Sequence, residues 1–197
     1  MEKWKKTLFV MTAAFCLAGC GSAGAPEMDT ISIRQDGKIA HTIVETFDTN
    51  YYNPEELETM ANEKIKRYSD GGEAIVCESV ETSGGQVIVK MIYPDGEDYT
   101  NYNNRELFSG TVEEAFAQGY SLKDIVGTDG NVISDEALSD IRANHVVIVQ
   151  TNKGEELDVN VYDKILYTSA NVTLSGKKDA IIAAGEEEEK LSCIVFQ

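Results

Sequence analysis

The sequence predicts an α+β fold. It reads as a mainly antiparallel sheet system, with a β-β-α-β-β first half, two short helices, and a C-terminal strand meander. Three observations carry this reading. Short runs with apolar residues at every second position recur along the chain, whereas NPEELETMANEKIKRYSDGG alone has the length and period of a full helix. Glycine-bearing turn pairs join the first strands too closely for parallel crossovers. Residues 145–197 hold five strand-like runs separated by short polar turns.

The elements follow in order. ISIRQ and KIAHTIVETF flank Asp36-Gly37, a two-residue hairpin signal because both residues tolerate positive φ. Asn53 caps the helix, Pro54 fits its first position and Glu56 completes a capping box. Leu57, Met60, Ala61, Ile65 and Tyr68 form one apolar stripe, and Gly71-Gly72 stop the helix. EAIVCESVET and QVIVKMIY form a second strand pair around Ser83-Gly84-Gly85. Residues 94–110 read as a loop rich in Asn and Tyr. Thr111 with Glu114 opens a short helix through Gln118, and Ser134 caps another, DEALSDIRA. HVVIVQ is apolar on both faces, as a central strand requires. ELDVNV alternates cleanly, and KILYTS, DAIIAA and LSCIVF complete the set.

The first thirty residues have a different logic. Lys3, Lys5 and Lys6 precede the apolar run from Thr7 to Phe15, which is too short to span a bilayer comfortably, so residues 1–19 read as an export signal. Leu17-Ala18-Gly19-Cys20 resembles the lipobox of bacterial lipoproteins. That resemblance implies that the Cys20 thiol carries diacylglycerol, with palmitate-type acyl chains, and that cleavage leaves Cys20 as the first residue. Each buried methylene contributes about 0.8 kcal/mol, so two chains anchor durably where one would not. Residues 20–30 then form a lipidated cysteine and flexible tether reaching at most roughly 35 Å. Residues 31–197 form a single α+β domain, with sub-lobes 31–109 and 110–197 as the alternative division. The expected location is the cell membrane, lipid-anchored and facing out of the cytoplasm.

The whole chain carries 17 basic and 34 acidic residues, a net charge of −17. Loss of the leader, with three lysines and one glutamate, leaves 14 basic against 33 acidic, a net −19. Such a surface repels nucleic acid, which is excluded as a partner. Cys77 and Cys193 both sit in strand-like runs, where export could oxidise them to one disulfide or leave two buried thiols. No Cys/His spacing matches a zinc site, and no cofactor motif is present.

Chemistry-bearing sets are sparse. His41 and His145 lie in strands and read as packed side chains. Ser175-Gly-Lys-Lys178 matches S-x-x-K only by chance, since it is a turn between strands. The acidic loops at Asp95–Asp98 and Asp129–Asn131 lack EF-hand spacing. The richest feature is a pair of Tyr/Asn clusters, FDTNYYNPEEL and DYTNYNNREL. Tyrosine faces stack on sugars while Asn and Arg reach hydroxyls or amides, so a ligand site would use Tyr51, Tyr52, Tyr99, Tyr102, Asn103 and Arg105. The same residues equally serve as caps and as amphipathic covers of a core edge.

With the lipobox, FDTNYYNPEELETMANEKIKRYS and MIYPDGEDYTNYNNRELFSGTVEEA resemble uncharacterised lipoproteins of anaerobic gut Firmicutes. That resemblance implies an envelope setting and no particular reaction. The expected function is a non-enzymatic binding or adaptor domain that meets an envelope protein or glycan. The alternative is a glycan-, peptide- or cation-binding module using the Tyr/Asn loops. An envelope hydrolase stands third, because carboxylates are plentiful.

Overall fold

A computed structural model describes residues 26–46, 53–68, 75–183, 185 and 190–197. The chain is α+β, with four helices and twelve strands among the described residues. Its first half runs β1 (Thr30–Ile33), β2 (Ile39–Thr46), α1 (Pro54–Tyr68), β3 (Val76–Ser83) and β4 (Gln86–Tyr93), the order read from the sequence. The middle holds α2 (Gly96–Asn103), β5 (Leu107–Thr111), α3 (Val112–Ala117), β6 (Val126–Gly127) and α4 (Asp135–Asp140). The remainder is β7 (His145–Thr151), β8 (Glu156–Asn160), β9 (Ile165–Thr168), β10 (Val172–Leu174), β11 (Asp179–Ala183) and β12 (Lys190–Phe196).

Two sheets result. The larger runs β10-β11-β8-β1-β2-β4-β3 and the smaller β5-β7-β12-β9-β6. Every pairing is antiparallel except β1 with β8. The late strands do not form a simple meander: β8, β10 and β11 join the large sheet, while β7, β9 and β12 join the small one. Residues from both 31–109 and 110–197 contribute to each sheet.

Alternation explains the layering. Val147 and Val149 of β7 and Ile194 and Phe196 of β12 pack against Ile31, Ile39, Leu157 and Val159 of the large sheet, forming the core between the sheets. Their neighbours Val146, Ile148, Cys193 and Val195 point the other way, into a second core closed by Val112, Ala115 and Ile141. This is why HVVIVQ and LSCIVF are apolar on both faces, while β8 alternates and leaves Glu156 exposed.

Local chemistry corrects several sequence expectations. The two-residue turn belongs to Gly84-Gly85, both at positive φ (60° and 83°). At Asp36-Gly37 only Gly37 is left-handed, and the loop is longer, closed by Arg34 N–H donating to Lys38 O at 2.9 Å. Residues 94–110 are not a loop. Asp95 caps α2 by accepting from the Asp98 amide at 2.9 Å, so there are three short helices instead of two. The Thr111/Glu114 capping box and the Ser134 cap are both formed. Cys77 and Cys193 are free thiols. No Cys77–Cys193 bridge exists, because Cys77 packs on the core between the sheets and Cys193 lies in the second core.

Candidate binding cleft under the first helix

The cleft arises from how α1 is anchored. Asn53 Oδ1 accepts from the Glu55 amide at 2.9 Å and starts the helix. Along its apolar stripe Ile65 is buried and Leu57, Ala61 and Tyr68 are half-buried, whereas Met60 remains 63 % exposed. The helix therefore does not close fully on the sheet beneath it. Between the two lies an open cleft of about 480 Å³, lined by Leu57, Met60 and Ala61 above and Ile43, Val80, Val89 and Met91 below. Its size falls within the roughly 300–1,000 Å³ of small-ligand sites.

The inner wall is aromatic. Tyr93, Tyr102 and Asn103 close it, with Tyr68 edge-on to Tyr102 at 5.6 Å and Tyr93 5.8 Å from Tyr102. Tyr93 Oη donates to Asn103 Oδ1 at 3.3 Å, and Asn103 Nδ2 donates to Tyr99 O at 2.9 Å, so the amide orientation is fixed. Tyr68 Oη donates to Asp98 Oδ1 at 3.1 Å, tying α1 to α2. Burial pushes the Tyr93 phenol well above its ordinary value and raises that of Tyr102 also, so both stay neutral donors.

The lip is cationic. Lys64 Nζ lies 3.9 Å from the centre of the Tyr102 ring and donates to Tyr102 O at 3.3 Å. Arg67 follows three residues later on the same helix face and donates from Nε to Glu63 O at 3.2 Å. Glu63 is the one carboxylate residue among those lining the cleft. None of the ion pairs among the described residues involves Lys64 or Arg67.

The site residues expected from sequence divide. Tyr102 and Asn103 line the cleft. Tyr99 does not: it is fully buried, 5.1 Å from Tyr93 and 5.5 Å from His41 in the core, and burial pushes its phenol to about 12. Arg105 is also corrected to a structural role, in a two-pronged ion pair with Glu155. The left-handed Asn104 (φ 51°) reverses the chain between Asn103 at the cleft and Arg105 at that pair. Tyr51 and Tyr52, like Cys20, lie outside the described residues.

Sequence reasoning missed the helix side of the cleft. Leu57, Met60 and Ala61 carried only an amphipathic pattern, which a fully seated helix would share. Nothing in their spacing marks Met60 as the stripe residue left exposed. His41 and His145 are packed as expected, the latter stacked on Phe196 at 5.7 Å. Among the described residues no group of three His, Cys, Asp or Glu side chains could hold a metal ion, and no helix is long and apolar enough to cross a membrane.

A second cleft, of about 550 Å³, lies between α2, β5 and α3. Asp95, Glu97, Glu106, Phe108 and Tyr120 line it, and Tyr120 Oη donates to Glu106 Oε1 at 2.6 Å. No family model matches the chain, and neither a curated protein nor a solved structure matches it.

Proposed function

We propose that this chain is an exported lipoprotein, anchored in the cell membrane through Cys20, whose domain is a non-enzymatic binding module facing out of the cytoplasm. One observation carries the binding half of the reading: the α1 cleft, with a mostly apolar floor and roof, Tyr93, Tyr102 and Asn103 on its inner wall and Lys64 and Arg67 at its lip. Met60, left 63 % exposed on that helix, forgoes burial worth roughly 25 cal/mol per Å², and an occupant would recover it. The lipobox resemblance at Leu17–Cys20 supports the anchor.

The geometry favours ligand capture over the flat adaptor surface also expected from the sequence. It is less suited to a glycan. One face of Tyr102 is covered by Lys64, and most of the lining offers no partner for sugar hydroxyls. Two measurements test the reading. Mass spectrometry of the membrane-extracted protein should find a diacylated Cys20, absent after Cys20→Ala. Unacylated, soluble wild-type protein would refute the anchor. A cysteine-reactive environment-sensitive dye at Met60→Cys, in a variant with Cys77→Ser, should respond saturably to a true ligand, and the response should be lost with Tyr102→Ala. A dye that responds to no member of a panel of amphiphiles, peptides, wall fragments and calcium would refute the binding module.

A further inference from the structure

Resting on the binding-module reading, we propose that the α1 cleft takes a single-chain acyl carboxylate, its tail on the apolar floor and its head between Lys64 and Arg67. Three features point there. The floor and roof are built of Ile43, Val80, Val89, Met91, Leu57 and Met60, which reward only an apolar body. The lip carries two cations, spaced three residues apart on α1, in a chain whose net charge is −17.

Acidic partners abound in this chain, yet neither Lys64 nor Arg67 has a carboxylate within ion-pair range among the described residues. Lys64 is held at the lip by the Tyr102 ring and carbonyl, which take one side of its ammonium. Arg67 spends only Nε, on Glu63 O, and its terminal nitrogens remain to fork a carboxylate. A cationic head would meet both charges, and a sugar head would find as neutral partners the Tyr102 hydroxyl and Asn103, the latter already bonded to Tyr93 and Tyr99.

The experiment compares one tail with three heads. All described elements and both cores lie within 26–197, so residues 21–197 contain the folded unit. Dodecanoate, dodecyl maltoside and dodecyltrimethylammonium, each below its micelle threshold, are titrated calorimetrically into that protein. Dodecanoate should bind saturably with one site, at least about tenfold tighter than the maltoside, and the cationic amphiphile weakest. Arg67→Glu and, separately, Lys64→Glu should remove that preference while the maltoside affinity stays put. Equal affinity for all three heads, or a preference untouched by both variants, would overturn the head assignment and leave the cleft reading standing. No binding by any of the three would overturn both.

Discussion

Arg105 and Glu155 meet across fifty residues of sequence through two parallel hydrogen bonds, Nη1 to Oε1 at 2.8 Å and Nη2 to Oε2 at 2.9 Å. Their side chains are 11 % and 19 % exposed, and Arg105 Nε also donates to Gln150 O at 2.6 Å. Glu155 in turn accepts from the Asn152 amide at 2.7 Å. Arg105→Met would strand that carboxylate in a largely dry site, at a cost of about 3 to 5 kcal/mol. Adding Glu155→Leu should recover much of this loss, because it removes the unpaired charge. Denaturant unfolding of the three proteins decides the matter; a single variant as stable as the parent would show the pair to be ornamental.

Gly96 begins α2 where the helix presses on β5. A Cβ added there would lie 2.7 Å from the Leu107 carbonyl oxygen, a backbone atom that cannot swing away. Gly96→Ala should therefore destabilise by about 1 to 3 kcal/mol despite alanine's better helix propensity. Gly185→Ala, with nothing within 4 Å, should stay within about 0.5 kcal/mol of the parent. Equal melting temperatures for the two variants would contradict the tight approach.

Asp29, just before β1, receives the Val44 amide at 2.8 Å, and its Oδ2 lies 3.8 Å from His41 Nε2, a distance for electrostatics and not for a hydrogen bond. Burial pushes its carboxyl up, but the His41 ring, the Val44 amide and the more distant Arg105 outweigh this and hold it below 3.8. A carboxylate lowered on folding stabilises the native state fully above its ordinary value and loses that effect as pH falls through its native one. Asp29→Asn keeps an oxygen for Val44 and removes the charge. Its melting temperature should sit below the parent's at neutral pH, and the gap should close as pH falls below the ordinary carboxylate value and through the lowered native one. A gap independent of pH would mean that the charge is irrelevant.

Burial raises both body thiols, Cys193 deep in the second core and Cys77 beside Glu58 at a half-buried position. In residues 21–197, an aromatic disulfide reagent should modify Cys77 slowly and leave Cys193 untouched until denaturant is added. Intact mass should not change on reduction. A gain of two hydrogens would reveal a Cys77–Cys193 bridge and require rearranged strands.

Much of this architecture was legible because its determinants are local. The period of β8, the cap pairs at Thr111/Glu114 and Ser134, and the two-faced apolarity of β7 each leave a mark within ten residues. The α2 helix was obscured because GEDYTNYN has weak helical residues and depends on the Asp95 cap. Sheet membership was illegible: a polar turn looks the same whether the next strand stays in its sheet or crosses to the other. The cleft was half legible. Tyr102 and Asn103 stood out by composition, but Tyr99, three positions before Tyr102, turns inward and joins the core. Arg105 resembled a ligand contact until its distant partner at Glu155 was in place.

The position of β12 has a consequence for how the chain is made. It comes after every other described strand in chain order, yet it lies in the middle of its sheet, bonded to β7 on one side and β9 on the other. Until residues 190–196 leave the ribosome, β7 and β9 have no neighbour to join them, and the face that closes both cores is absent. Residues 30–189 must thus all be made before the two sheets can lock, which on the proposed export route lengthens the interval in which a translocase could thread the chain unfolded. On the proposed export route, the same delay makes that chain a client for holdase chaperones, and a stop codon before residue 190 would yield material for proteases.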